Sequence, residues 1–201
     1  LYIRTNTLKT TSAKLSAELQ KAGCAPQENG PLPAYFVLAE NSGLFSSNAY
    51  TAGLFQVQDI NAGLPAALLA PQAGHKVLDM CSAPGGKTTQ LAEMMQDKGC
   101  VVAADVSLQR LRLVRDNARR LNLHSIRPLV QDATQNGCGD FDYVLADVAC
   151  SNTGILGRHP DARWRKNAAQ LPALISTQQA ILQRGSWRQT HFVTHFVGIG
   201  N

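Results

Sequence analysis

Val77-Leu78-Asp79-Met80-Cys81-Ser82-Ala83-Pro84-Gly85-Gly86-Lys87-Thr88-Thr89 is an apolar strand running into a tight glycine turn and then into a helix. That order builds a backbone cradle. Glycines let the main chain approach a ligand closely, and the N–H groups that open the next helix favour a negative group there. Downstream, Asp105, Asp132 and Asp147 each close or follow an apolar run, as expected at the carboxyl ends of strands in an open α/β sheet. Four strand ends would then meet at one crevice.

Outward from the turn the alternation is regular. The pattern predicts strands over 77–80, 101–105, 126–131 and 143–147, with helices over 87–96 and 108–121. Strands alternating with helices call for a parallel sheet with right-handed crossovers. Upstream, a strand opening at Leu1-Tyr2-Ile3-Arg4-Thr5, a helix over 12–22 and a strand over 35–38 suit a small α+β module ending near Gly53. Spacing over 54–69 reads as helical, with Pro65 in a first turn or at a kink. The expected division is an N-terminal α+β module over 1–53, an α/β core over 54–182 and a divergent tail over 183–201. Because the chain starts at Leu1 inside a strand, a fragment is expected.

Composition sets the outer limits. In 201 residues, 44% are hydrophobic and 16% charged, enough to bury a core and unlike a disordered chain. No apolar run approaches the ~20 residues of a membrane span, and no basic-then-apolar leader is present. Five cysteines, Cys24, Cys81, Cys100, Cys138 and Cys150, form no CxxC pair, so a reducing cytoplasm and no metal are expected, with a monomer as the assembly. A net charge of +5 makes a polyanionic partner plausible. The arginines of the 108–121 helix read as a solvated face. Arg158, His159, Arg163, Arg165 and Lys166, which follow the Asp147 loop directly, read as a nucleic-acid contact.

The glycine loop excludes two common ligands. A P-loop needs glycine five positions before Gly86, where Cys81 stands, and Ala83-Pro84-Gly85-Gly86 does not supply GxGxxG. Asp105 can bridge two ribose hydroxyls, and Asp132 can accept from an exocyclic adenine amine. An adenosyl ligand without a pyrophosphate fits these partners, and S-adenosyl-L-methionine is the common one.

Cys81-Ser82-Ala83-Pro84-Gly85-Gly86-Lys87-Thr88, followed by Asp147-Val148-Ala149-Cys150-Ser151-Asn152-Thr153-Gly154 and Arg158-His159-Pro160-Asp161, resembles the Nop/Sun family of RNA cytosine-5 methyltransferases, in its bacterial 16S ribosomal RNA branch. The resemblance extends from Arg4-Thr5-Asn6-Thr7-Leu8 through Gln56-Val57-Gln58-Asp59 to about Leu182. It implies a Rossmann-like class I methyltransferase core with a small RNA-binding module before it. It also implies that residues 81–87 wrap the methionine end of the cofactor, that Asp105 holds the ribose and Asp132 the adenine, and that Asp147 lies between cofactor and target base. Lys87 would position the cofactor's carboxylate or the loop.

The family's reaction adds a thiolate to carbon 6 of cytosine, after which carbon 5 attacks the sulfonium methyl group. The resemblance gives Cys150 the product-release role. The attacking cysteine, in a Thr-Cys-Ser strand end further on, has no counterpart here, since no cysteine follows Cys150. The expectation is a fold C-terminally incomplete after Leu182, through a frameshift or misassembled end, with an open sheet edge and impaired methyl transfer. Ala149, where the family usually has proline, loosens the aim of Cys150. Two other readings stand beside this one: an inactive RNA- and cofactor-binding protein, and an enzyme using Cys150 itself as nucleophile. Cys24, Cys81, Cys100 and Cys138 are expected to be structural.

Overall fold

The computed structural model describes residues 1–28, 32–39, 43–135, 139–148, 171–185 and 191–195. Two sheets organise them. The first has the order β2-β3-β1-β4, from Pro26–Glu28, Tyr35–Leu38, Tyr2–Thr5 and Phe55–Val57, every neighbouring pair antiparallel. The second has the order β7-β6-β5-β8-β9, from Ile126–Val130, Cys100–Asp105, Lys76–Asp79, Tyr143–Asp147 and His191–His195, every pair parallel. Helices α1 (Ser12–Lys21), α2 (Asn48–Thr51), α3 (Ile60–Leu69), α4 (Gly86–Met94), α5 (Leu108–Leu121) and α6 (Leu171–Gly185) connect and cover them.

The central strands of the second sheet, β5, β6 and β8, are buried on both faces because they are apolar on both. Val77, Val101, Ala103 and Leu145 point into a core shared with Leu91 of α4, Met95 just after it, and Leu111, Val114 and Leu121 of α5. Leu78, Ala104, Val144 and Ala146 point the other way, toward Met80 and Ile181 of α6. The alternation is the period of two of a strand. Helix α5 is amphipathic in the complementary sense: Leu111, Val114, Ala118 and Leu121 are buried, Ser107 caps its start by accepting from the Arg110 N–H, and Asn122 ends it in the left-handed region. The smaller sheet packs Ile3, Phe36, Leu38 and Phe55 against Leu15 and Leu19 of α1.

Three expectations change. Phe55–Val57 is a strand, not the start of a helix, and it pairs with β1 (Ile3 opposite Val57), so the first sheet takes in residues beyond Gly53. Pro65 sits well inside α3 rather than in its first turn. Beyond Leu182, α6 runs on to Gly185, and β9 lies parallel to β8 with Asp147 opposite His195. The tail therefore continues the sheet, and the Tyr143–Asp147 edge that loss of the last strand would have opened is covered.

The two sheets are joined along two seams. At one, the Asn6 side chain donates to the carbonyls of Gly53 and Leu121 (both 3.0 Å), and Arg120 stands 4.2 Å from the Tyr50 ring centre while donating to the Phe55 carbonyl (2.8 Å). Gly53 has φ +68°, and a Cβ there would fall 2.0 Å from the Arg120 carbonyl oxygen, so only glycine fits. The other seam runs through Arg4 and Glu93, whose side chains are both 5% exposed and 2.9 Å apart.

Candidate active site

The turn after β5 is pinned from several sides. The Met80 N–H donates to the Leu145 carbonyl, the Ser82 N–H to Ala104 and the Gly85 N–H to Ser82, all at 2.8–2.9 Å. From α5, Arg110 donates to the Ala83 carbonyl at 2.7 Å and Asn117 to the Pro84 carbonyl at 3.1 Å. Gly85 is the N-cap of α4, with φ +104° and no side chain to cap the helix. A Cβ at Gly85 would meet the Val114 main chain at 3.1 Å. The turn needs glycine both for its backbone angle and for helix packing, and no N-cap side chain occupies the opening N–H groups of α4.

Beside this turn lies a cavity of about 180 Å³ lined by Val57, Gln58, Asp59, Ala62, Cys81, Ser82, Ala83, Pro84, Gly86, Lys87 and Asp147. Within it the Lys87 Nζ lies 2.6 Å from the Asp147 Oδ2, the lysine side chain 12% and the aspartate 30% exposed. That pair joins the first turn of α4 to the carboxyl end of β8. Asp79, wholly buried beneath the turn, accepts from the Thr88 hydroxyl at 2.7 Å. Burial raises its pKa to about 7, Thr88 holding it down and the Asp147 charge pushing it up. Burial, reinforced by Asp79, Asp105 and Asp147, pushes the Cys81 thiol up to about 12, so it stays protonated and unreactive at neutral pH.

Of the residues singled out in the sequence, Cys81, Ser82, Ala83, Pro84, Gly86, Lys87 and Asp147 meet around this one cavity. Asp105 does not line it. It is 3% exposed at the end of β6, accepting from the N–H groups of Ala83 (3.3 Å) and Ser107 (3.0 Å), and the half-exposed Arg110 guanidinium lies 3.2 Å from it. Asp132 follows β7, accepting from the N–H (2.8 Å) and hydroxyl (2.7 Å) of Thr134; these bonds, the hydroxyl's first, hold its carboxyl below the usual range. Cys150, Arg158, His159 and Arg163 lie outside the described residues.

The sequence reading did not single out Val57, Gln58, Asp59 and Ala62 as one wall of the cavity. Gln56-Val57-Gln58-Asp59 was visible as a family-like stretch, but its place depends on β4 pairing with β1. Asp59 caps α3 by accepting from the Asn61 N–H at 2.9 Å. Among the described residues, no cluster of His, Cys, Asp and Glu could hold a metal ion, and no helix is long and apolar enough to cross a membrane.

A parallel sheet whose first β–α turn is a glycine cradle, with carboxylates at the ends of neighbouring strands, is a Rossmann-like class I methyltransferase core. Residues 66–191 match the family model described as 16S rRNA methyltransferase RsmB/F, and the chain belongs to that family. It is 36% identical over 188 residues to a probable ribosomal RNA small subunit methyltransferase B of Synechocystis, a match covering 91% of this chain and 42% of that relative. The chain thus spans less than half the length of the relative it matches. Among solved structures, PH0851 superposes with a TM-score of 0.93 at 29% identity, covering 99% of this chain and 46% of that one. A methyltransferase homolog protein from Pyrococcus horikoshii superposes with a TM-score of 0.80 at 26% identity, covering 98% of this chain and 65% of that one.

Proposed function

We propose that this chain binds S-adenosylmethionine between the 81–87 turn and the Val57–Ala62 wall, and derives from an enzyme that methylates carbon 5 of cytosine in small-subunit ribosomal RNA. The observation that carries the reading is the cavity itself: a glycine cradle at a helix start, faced by the Lys87–Asp147 pair. The residues suit the group. A helix start without a capping side chain favours a carboxylate, Asp105 is a carboxylate ending β6 just before α5 for paired hydroxyls, and Asp132 can accept from an amine. When bound, S-adenosylmethionine supplies a methyl group on a sulfonium that a carbon nucleophile can attack.

The chain's own residues orient and exclude. Lys87 holds Asp147 at the mouth of the cavity, where that carboxylate can accept from an amino group of the target base. Cys81 packs as a neutral thiol. The basic segment bearing Arg158, His159 and Arg163 is the proposed contact for RNA phosphates. Cys150 is the one thiol of the Asp147 segment, and residues 151–201 contain no second cysteine to act as the attacking thiol. Cofactor binding is therefore expected to outlast turnover, with methyl transfer absent or very slow.

Calorimetry with S-adenosylmethionine tests the first half: one saturable site on folded protein is expected, and a flat titration would refute it. Radiolabelled methyl transfer to a ribosomal RNA fragment tests the second; repeated turnover by this chain alone would overturn it. RNA carrying 5-fluorocytosine, compared between the native sequence and Cys150→Ala, reads out whether Cys150 attacks the base.

A further inference from the structure

The two walls of the cavity belong to different sheets, and one buried side chain touches both. Arg4, on β1, is 4% exposed. Its Nη1 donates to the Gln58 Oε1 on one wall and to the Gly86 carbonyl on the other, the latter at 3.1 Å. Its Nη2 donates to the Thr89 hydroxyl (3.3 Å) and to the Glu93 Oε1 (2.9 Å), and its Nε to the Glu93 Oε2 (3.2 Å). A guanidinium has five N–H donors, and every one is matched here. Neutralising the charge requires only Glu93. The two donors of Nη1 do something else: from a single nitrogen they fix the span between Gln58 and Gly86, both of which line the cavity.

We infer that Arg4 is a positioning residue that staples the two walls of the binding cavity and sets its width. Gln58 is held in the complementary sense, its amide donating to the Gln90 Oε1 at 2.8 Å and to the Ala62 carbonyl at 3.3 Å, so the wall cannot tilt away while Arg4 grips it. A Cβ added at Gly86 would still stand 3.8 Å from Gln58, so the two walls approach without touching there and the Arg4 fork spans the gap. Lysine cannot substitute. An ammonium has three donors on one atom and can satisfy Glu93 or reach a wall, but it cannot do both at the spacing of a planar fork. For the identity of the ligand this inference rests on the function proposed above; for the staple itself it does not.

The test compares Arg4→Lys with Glu93→Gln, which keeps the guanidinium and its two wall contacts. Amide hydrogen exchange is measured on the ligand-free protein, with residues 100–105 of β6 as the internal reference for global stability. Relative to that reference, exchange in Arg4→Lys at both 57–62 and 86–90 is expected to rise about tenfold or more, and in Glu93→Gln to stay within about twofold. An equal rise in both variants, or no rise in Arg4→Lys, overturns the staple. Should Arg4→Lys fail to fold, Arg4→Met combined with Glu93→Leu removes the buried charges together and is expected to show the same local acceleration; unchanged walls in that protein overturn the inference. S-adenosylhomocysteine affinity is the second readout, expected to fall about tenfold in Arg4→Lys and less than about twofold in Glu93→Gln; equal affinities contradict the staple. A native chain that does not bind this compound, yet shows the exchange pattern above, refutes the adenosyl ligand and leaves the staple standing.

Discussion

Two ion pairs flank the same turn, and they are built for different purposes. Arg4–Glu93 is dry, both side chains 5% exposed, with two contacts between guanidinium and carboxylate. Lys87–Asp147 makes one 2.6 Å contact in the cavity wall, with the aspartate 30% exposed. A fully buried pair costs much to form and much more to break, because removing one partner strands a charge in a low dielectric. A pair in a cavity wall with one partner partly exposed is less desolvated, and breaking it costs less than breaking a dry one. One pair therefore belongs to the architecture, and the other is the one proposed to serve the ligand.

The comparison breaks most visibly at Arg4. Arg4→Met leaves Glu93 buried without its guanidinium, and the expected loss is about 3–5 kcal/mol by denaturant unfolding at neutral pH. Burial already raises the Glu93 pKa, with Arg4 pulling it back. In the variant the folded value rises further above the unfolded one, so stability should recover as the pH is lowered toward the unfolded carboxylate range. A loss below about 1 kcal/mol, of the size seen for exposed pairs, would put the two pairs in one class.

Gly85→Ala comes next. A side chain in the left-handed region costs about 1–2 kcal/mol, and the Val114 main chain at 3.1 Å must also give way. Unfolding and ligand titration should both register it, whereas Gly86→Ala, with nothing closer than 3.8 Å, should leave folding near native.

Asp79 sharpens the contrast through pH. Its folded pKa of about 7 lies above the ordinary carboxylate value of 3.8, so the folded state holds a proton that the unfolded state has released between those values. Stability from this group is full below about 4, falls as the pH rises to about 7 and is level beyond. Asp79→Asn should flatten that part of the pH profile while keeping an acceptor for Thr88.

At the small end, Lys87→Met should shift unfolding by no more than about 1 kcal/mol yet abolish any ligand response that depends on Asp147 being held. Lys21→Met, breaking the exposed Glu18–Lys21 contact on α1, should change neither stability nor binding measurably.

Much of this was legible from residue order. The spans Tyr35–Leu38, Leu108–Leu121 and Tyr143–Asp147 follow from apolar periodicity bounded by caps and turns, and the Cys81–Lys87 turn announces itself through paired glycines before a helix. These signals are local. What escaped depends on pairing across long separations. Phe55–Val57 carries helix-like spacing with its neighbours and becomes a strand only because β1, some fifty residues earlier, offers it hydrogen bonds. The second wall of the cavity escaped for the same reason, and so did Arg4, whose partners lie 54 to 89 residues away. The tail after Leu182 looked foreign because its composition departs from the family pattern, yet five residues of it suffice to pair with β8. Asp105 and Asp132, expected at strand ends from the apolar runs before them, do end β6 and follow β7; their partners Arg110 and Thr134 were not legible from spacing.

Titration of the folded native chain with S-adenosylmethionine, set beside the Gly85→Ala variant, tests the adenosyl site most directly. One equivalent bound by the native chain, and markedly weaker binding once the glycine cradle is filled, is the expected result. No heat from a native chain shown by exchange to be folded would contradict it.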